Sequence, residues 1–160
     1  MGSAMCIRDR DKLKAYSPDD KRALREIAKK HRNLNVVVCK NKTTVTPGIY
    51  STGTIASSRE HALKIELVSG KKVLIIGCGH AGLMNIIKWS SSNKEILHAI
   101  MGGFHLKNEA SHNVRLILRN ISNRVERVIP LHCSNHKRVF KEVLKDKYTP
   151  GGVGLKVVFE

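Results

Sequence analysis

From residue 62 onward the chain alternates short apolar runs with helix-length amphipathic stretches. Residues 62–68 read ALKIELV, apolar at nearly every second position, which predicts a half-buried strand. The runs VLIIG (73–77), EILHAIMGG (95–103) and RVIPLHC (127–133) are apolar on both faces, as strands buried between two layers must be. Each is followed by a helical pattern, over about residues 81–90, 111–122 and 135–146, and LKVVFE (155–160) predicts a closing strand after the turn at 150–152. Strands alternating with helices of this length make βα units and a mostly parallel C-terminal sheet, so the fold class is α/β.

The first third is patterned differently. Ser-Pro-Asp-Asp at 17–20 offers an N-cap, a first-turn proline and two acids ahead of KRALREIAKKH, predicting a helix to about His31. NVVVC (35–39) and TTVTPGIY (43–50) are short and β-branched, and Pro47-Gly48 breaks the second, which places them as strands at a sheet edge. Residues 1–10 stand outside the fold: 1–4 read as a vector leader, and MCIRDR (5–10) as the translation of a transposase adapter at the cut end of an assembled gene. Residues 11–160 then form a single domain.

Composition narrows the classes. No apolar run approaches the roughly 18–20 residues of a membrane span, and no secretory signal opens the chain, so the expectation is a cytoplasmic protein without a membrane partner. The four cysteines form no CxxC pair, which argues for reduced thiols. A net charge of +16 favours anionic partners. Aromatic residues make up only 4% and do not interleave with the basic ones, so nucleic acid is a weaker expectation than a small anionic substrate.

The chemistry sits at the strand ends. His80 closes VLIIGCGH, His105 closes ILHAIMGGFH and His132 closes RVIPLH. Right-handed crossovers put the carboxyl ends of parallel strands on one edge, where α/β proteins assemble their sites, so the three imidazoles can converge. Gly77, Gly79, Gly82, Gly102 and Gly103 would keep the backbone low beneath them. Three neutral imidazoles with an open position make a catalytic zinc arrangement, and the expectation is at most one Zn²⁺ or Mn²⁺ per chain on His80, His105 and His132, which double as the catalytic residues. Cys78 and Cys133 stand beside them as small buried side chains or supporting groups. His136 could face the same pocket, cap the following helix or bind an anion. His31, His61, His98 and His112 read as structural or surface residues.

GCGHAGLMNII (77–87), MGGFHL (101–106), PLHCS (130–134) and GGVGLKVVFE (151–160), with TPGIYSTGTI (46–55) upstream, resemble the C-terminal half of a metallo-β-lactamase-fold family, the 7,8-dihydropterin-6-yl-methyl-4-(β-D-ribofuranosyl)aminobenzene 5′-phosphate synthases and their relatives. The resemblance covers about residues 43–160. It implies half of an αββα sandwich and a metal-dependent hydrolase acting on a phosphorylated, anionic substrate such as a phosphoester. It also implies that His80 matches the lone ligand following the N-terminal cluster and His132 the last ligand, while His105 lies where the superfamily usually has a metal-bridging Asp. The superfamily's HxHxDH motif is absent, as is any HxH. Two further readings remain open: a self-sufficient small hydrolase with a three-histidine mononuclear zinc site in a homodimer, and a metal-free basic module binding phosphate or nucleic acid. A half-sandwich would leave one apolar sheet face bare, so a homodimer through that face is expected.

Overall fold

The computed structural model describes residues 12–19, 22–55, 58–92 and 94–159. The chain runs β1 (Leu13–Ser17), α1 (Arg22–Lys30), β2 (Leu34–Val38), β3 (Thr43–Thr46), β4 (Ile49–Ser51), β5 (Ala62–Glu66), β6 (Lys72–Ile76), α2 (Leu83–Ser90), β7 (Leu97–Gly102), α3 (Ser111–Ser122), β8 (Val125–Pro130) and α4 (Lys137–Leu144), which ends in a 3-10 turn, Lys145–Lys147. Six strands form one sheet in the order β3-β4-β5-β6-β7-β8. The pairs from β3 to β6 are antiparallel, and β6-β7 and β7-β8 are parallel. No described helix is long and apolar enough to cross a membrane.

The register explains the core. Leu74, Ile100 and Val128 lie side by side across β6, β7 and β8. They pack with Leu83, Ile86 and Ile87 of α2, Val114, Leu118 and Ile121 of α3, and Val139, Phe140 and Leu144 of α4. The three helices therefore cover one face, as consecutive right-handed crossovers require. The opposite face carries the neighbouring row Leu63, Ile75, Met101 and Ile129, of which only Ile129 is fully buried. This is the face on which a second layer is expected.

Several sequence expectations need correcting. Ser17 is the last residue of β1, and its hydroxyl donates to the Asp19 carbonyl at 2.7 Å instead of capping a helix. Asp20 and Lys21, with residues 1–10, lie outside the described residues. The run 35–39 does not join the sheet edge beside 43–50: β2 pairs in parallel with β1 in a separate two-stranded sheet, with α1 as the crossover. α1 packs on β2 and has no buried residue. Among residues 155–159 there is no strand. The free edge of β8 is already engaged, because Thr149 N–H donates to the Val128 carbonyl at 3.0 Å and Tyr148 bridges to Val128, so the last segment finds no edge to extend.

One ion cluster ties β5 and β6 to the segment entering β7. Lys64 Nζ reaches both Glu95 carboxylate oxygens at 2.9 and 2.8 Å, and Lys72 Nζ reaches Oε1 at 2.9 Å. Burial alone would raise the Glu95 carboxyl, but the hydrogen bonds and charges of the two lysines outweigh it and hold the group below the usual carboxylate range. A depressed folded pKa gives stability that is fully present above the unfolded value of about 4.3 and is lost as pH falls through the folded value. Glu95→Gln is expected to cost about 2 kcal/mol at pH 7 and to flatten the acid limb of a stability-against-pH curve measured by urea unfolding.

Candidate metal centre

The loops leaving β6, β7 and β8 meet at one edge of the sheet. The first brings Cys78 and His80, the second His105, and the third His132 and Cys133. Cys78 Sγ lies 3.3 Å from Cys133 Sγ and 3.8 Å from His105 Nδ1. The His80 and His105 rings sit 4.6 Å apart, tilted by 60°. Two donor groups result, Cys78 with His80 and His105, and Cys78 with His132 and Cys133, each with its ligand atoms within 4.8 Å of one another. The structure thus brings His80 and His105 together and places His132 in the adjoining group, with Cys78 common to both. The cysteines are half-buried and the three histidines exposed.

The loops are stitched by their own backbone. His105 N–H donates to Cys133 Sγ at 3.3 Å, Lys107 N–H to the Cys133 carbonyl at 3.0 Å, and Phe104 N–H to Ser134 Oγ at 3.2 Å. His105, Cys133, Asn135 and His136 have φ of 52°, 53°, 42° and 49°. This left-handed region disfavours side chains other than glycine, and such strain concentrates where a fold holds functional groups in place. His136 occupies the N-cap of α4 without a side-chain cap bond, and its buried Nε2 has no hydrogen-bond partner among the described residues.

Burial, then the hydrogen bond and charge of Cys133 and the charge of Glu60, push the Cys78 thiol up to about 11. As a free thiol it keeps its proton at neutral pH. Coordination to a cation is what removes such a proton.

Glu60, which the sequence reading passed over, organises the first loop. Cys78 and Gly79 N–H donate to its Oε1 at 3.1 and 2.7 Å, and Ala81 N–H donates to Oε2 at 3.2 Å. His80 Nδ1 lies 3.9 Å from Oε1. The register offers the signal: Ala62 pairs with Ile76, so two residues further out Glu60 comes level with Cys78. Beside it opens a cavity of about 730 Å³, lined by Arg22, Arg59, Glu60, His61 and His80 among others. His61, read earlier as structural or surface, lines this cavity and shares a 3.0 Å hydrogen bond through Nδ1 with Ser51 Oγ.

The glycines divide into required and permissive. A Cβ on Gly79, where φ is 77°, would fall 2.9 Å from the Gly103 carbonyl oxygen. One on Gly103 would fall 2.7 Å from His132 Nε2 and 2.8 Å from the Gly77 carbonyl, so the bare backbone of Gly103 is the seat of the His132 ring. Gly77, by contrast, has room for a methyl, with Glu60 Oε1 at 3.8 Å. Gly103→Ala is expected to cost about 1–3 kcal/mol and shift the His132 imidazole resonances, whereas Gly77→Ala leaves both nearly unchanged. Thermal unfolding and histidine NMR check the pair.

No protein-family model matches the sequence. The uncharacterized protein MJ0448 of Methanocaldococcus jannaschii is 29% identical over 84 residues, covering 52% of this chain and 32% of that protein. Among solved structures, Tm1679, a metal-dependent hydrolase of the β-lactamase superfamily, superposes with a TM-score of 0.66 at 20% identity, over 80% of this chain and 60% of that one. Zn²⁺-bound PqqB from Methylobacterium extorquens superposes with a TM-score of 0.55 at 11% identity, over 96% and 65%. The chain spans less than two thirds of the length of each. Its fold is that of the metallo-β-lactamases.

Proposed function

We propose that this chain carries part of the active site of a metal-dependent hydrolase acting on an anionic phosphoester. The observation that carries the reading is the Cys78, His80 and His105 donor group, its ligand atoms within 4.8 Å of one another, where the loops leaving the parallel strands of a metallo-β-lactamase fold meet. Two solved neighbours support it, one described as a metal-dependent hydrolase and the other as Zn²⁺-bound.

The residues fit a divalent ion. Imidazole nitrogens and thiolate sulfurs are zinc ligands, and a soft thiolate favours zinc over manganese. Cys78, His80 and His105 would hold the ion, with Cys133 and His132 as the adjoining donors. Bound there, zinc supplies Lewis-acid activation of water and of the phosphoryl group.

The remaining work falls to the chain itself. Glu60 fixes the loop that presents Cys78 and His80, by accepting three of its backbone N–H groups. Gly103 seats His132. Arg22 and Arg59, on the wall of the cavity beside His80, supply positive charge to draw in and orient a phosphate. Arg59 is largely exposed, and its Nε lies 4.0 Å from Asp19 Oδ2, at the outer limit of an ion pair, so its guanidinium can turn to a ligand.

Hydrolysis of an activated phosphodiester such as bis(p-nitrophenyl) phosphate tests the reading. Activity should vanish with a chelator and return with zinc, and Arg59→Ala should raise KM several-fold with little change in kcat. Activity that survives chelation would contradict it.

A further inference from the structure

α4 carries a second constellation, distinct from the histidines and cysteines. Lys137 and Lys141 stand about one turn apart on one side of the helix, roughly 6 Å along its axis, and Lys145 follows at the C-cap, where the 3-10 turn begins. Together with Arg138, Tyr148 and Pro150 they line an open groove of about 570 Å³. Among the described residues no acidic side chain lines it.

The three lysines are uncommitted. Among the described residues they make no ion pair, whereas Arg138 is held by Glu142 at 3.0 Å and Lys147 turns inward onto the Ser122 and Val125 carbonyls. Like charges at this spacing repel, so the row weakens the helix that bears it. Lys145 adds a backbone cost, because it takes a φ of 50° at the helix end, a place that glycine fills more easily. A cation stands there against both local preferences.

The row has a direction. α4 begins four residues after Cys133, so the first lysine follows the loop that bears His132 and Cys133, and the others lead away from it. Tyr148, packed against Phe140 at 5.9 Å, adds an aromatic ring to the groove. Successive cations beside an aromatic ring suit a chain of phosphates carrying bases. An anionic membrane fits less well, because the groove offers no large aliphatic side chain to insert between lipids.

We infer that the α4 groove binds single-stranded nucleic acid. Binding rests on the groove alone; that the bound strand is also the substrate, its phosphodiester presented to the metal centre, rests on the function proposed above.

The test is fluorescence anisotropy of a labelled single-stranded oligonucleotide with the full chain, in chelator, across a range of salt. Working without metal keeps the outcome independent of the metal centre. Lys137→Gln/Lys141→Gln/Lys145→Gln should weaken binding at least about tenfold and reduce the salt slope by about 2, since each phosphate contact on a single strand contributes about 0.7. Replacing the same three lysines with arginine should keep affinity within about threefold, which separates loss of charge from loss of fold. A control of equal charge, Lys14→Gln/Lys30→Gln/Lys40→Gln, should change affinity less than about threefold. Equal losses in the two glutamine variants, no binding by the unaltered chain, or tighter binding to anionic phospholipid vesicles than to the oligonucleotide would each overturn the inference.

Discussion

Cys78→Ser is expected to weaken zinc binding by more than about 100-fold, beyond the loss that follows removal of a merely supporting residue. Cys78 is the donor common to both groups at the strand ends, so its removal leaves neither intact. Serine keeps the size and a hydrogen bond to Glu60 through the backbone, but it offers a hard neutral oxygen in place of a soft thiolate. His98→Ala is the matched control. That imidazole lies on β7, bonded through Nδ1 to Glu126 at 2.6 Å, and belongs to neither donor group. Competition with a chromophoric chelator measures both. Equal loss in the two variants would mean that the effect comes from the fold and not from a ligand.

Glu60→Ala should produce the second large effect without touching a metal donor. It strips the acceptor from three backbone N–H groups in the 77–82 loop, at a cost of about 2 kcal/mol in stability and about 10- to 100-fold in zinc affinity. Glu60→Gln keeps a single acceptor oxygen and should fall between the two. Zinc titration at a temperature well below the unfolding midpoint separates the local loss from global unfolding. An unchanged affinity in Glu60→Ala would show that the loop holds its shape without the carboxylate.

The helical half of the fold was legible because its pattern is strong. α3 falls on the residues its apolar period marks, β6, β7 and β8 overlap their apolar runs and β5 the alternating one, because apolar positions of each pack on the helical layer. The site edge followed from the crossovers. β1 was not legible, because LKAYS shows no apolar alternation and is a strand only through parallel pairing with β2. LKVVF has the right composition for a strand but lacks a partner edge, which local propensity cannot reveal.

The candidate site divides in the same way. His80, His105 and His132 could be placed on one edge from strand order alone, but which donors share a group depends on loop conformation. The left-handed turn at Cys133 helps bring its sulfur to Cys78, 55 positions away, and no spacing rule foresees that contact. Glu60 escaped notice because it precedes an antiparallel strand, away from the βα units that drew attention to the histidines. Finding it required the β5-β6 register.

The central claim is that these strand-end donors hold a metal ion, and elemental analysis of the zinc-dialysed protein tests it most directly. The account predicts about one zinc per chain, falling to background when Cys78→Ser and His105→Ala are combined, with the far-ultraviolet circular dichroism unchanged. Background zinc in the unaltered chain, or full occupancy in the double variant, would contradict it.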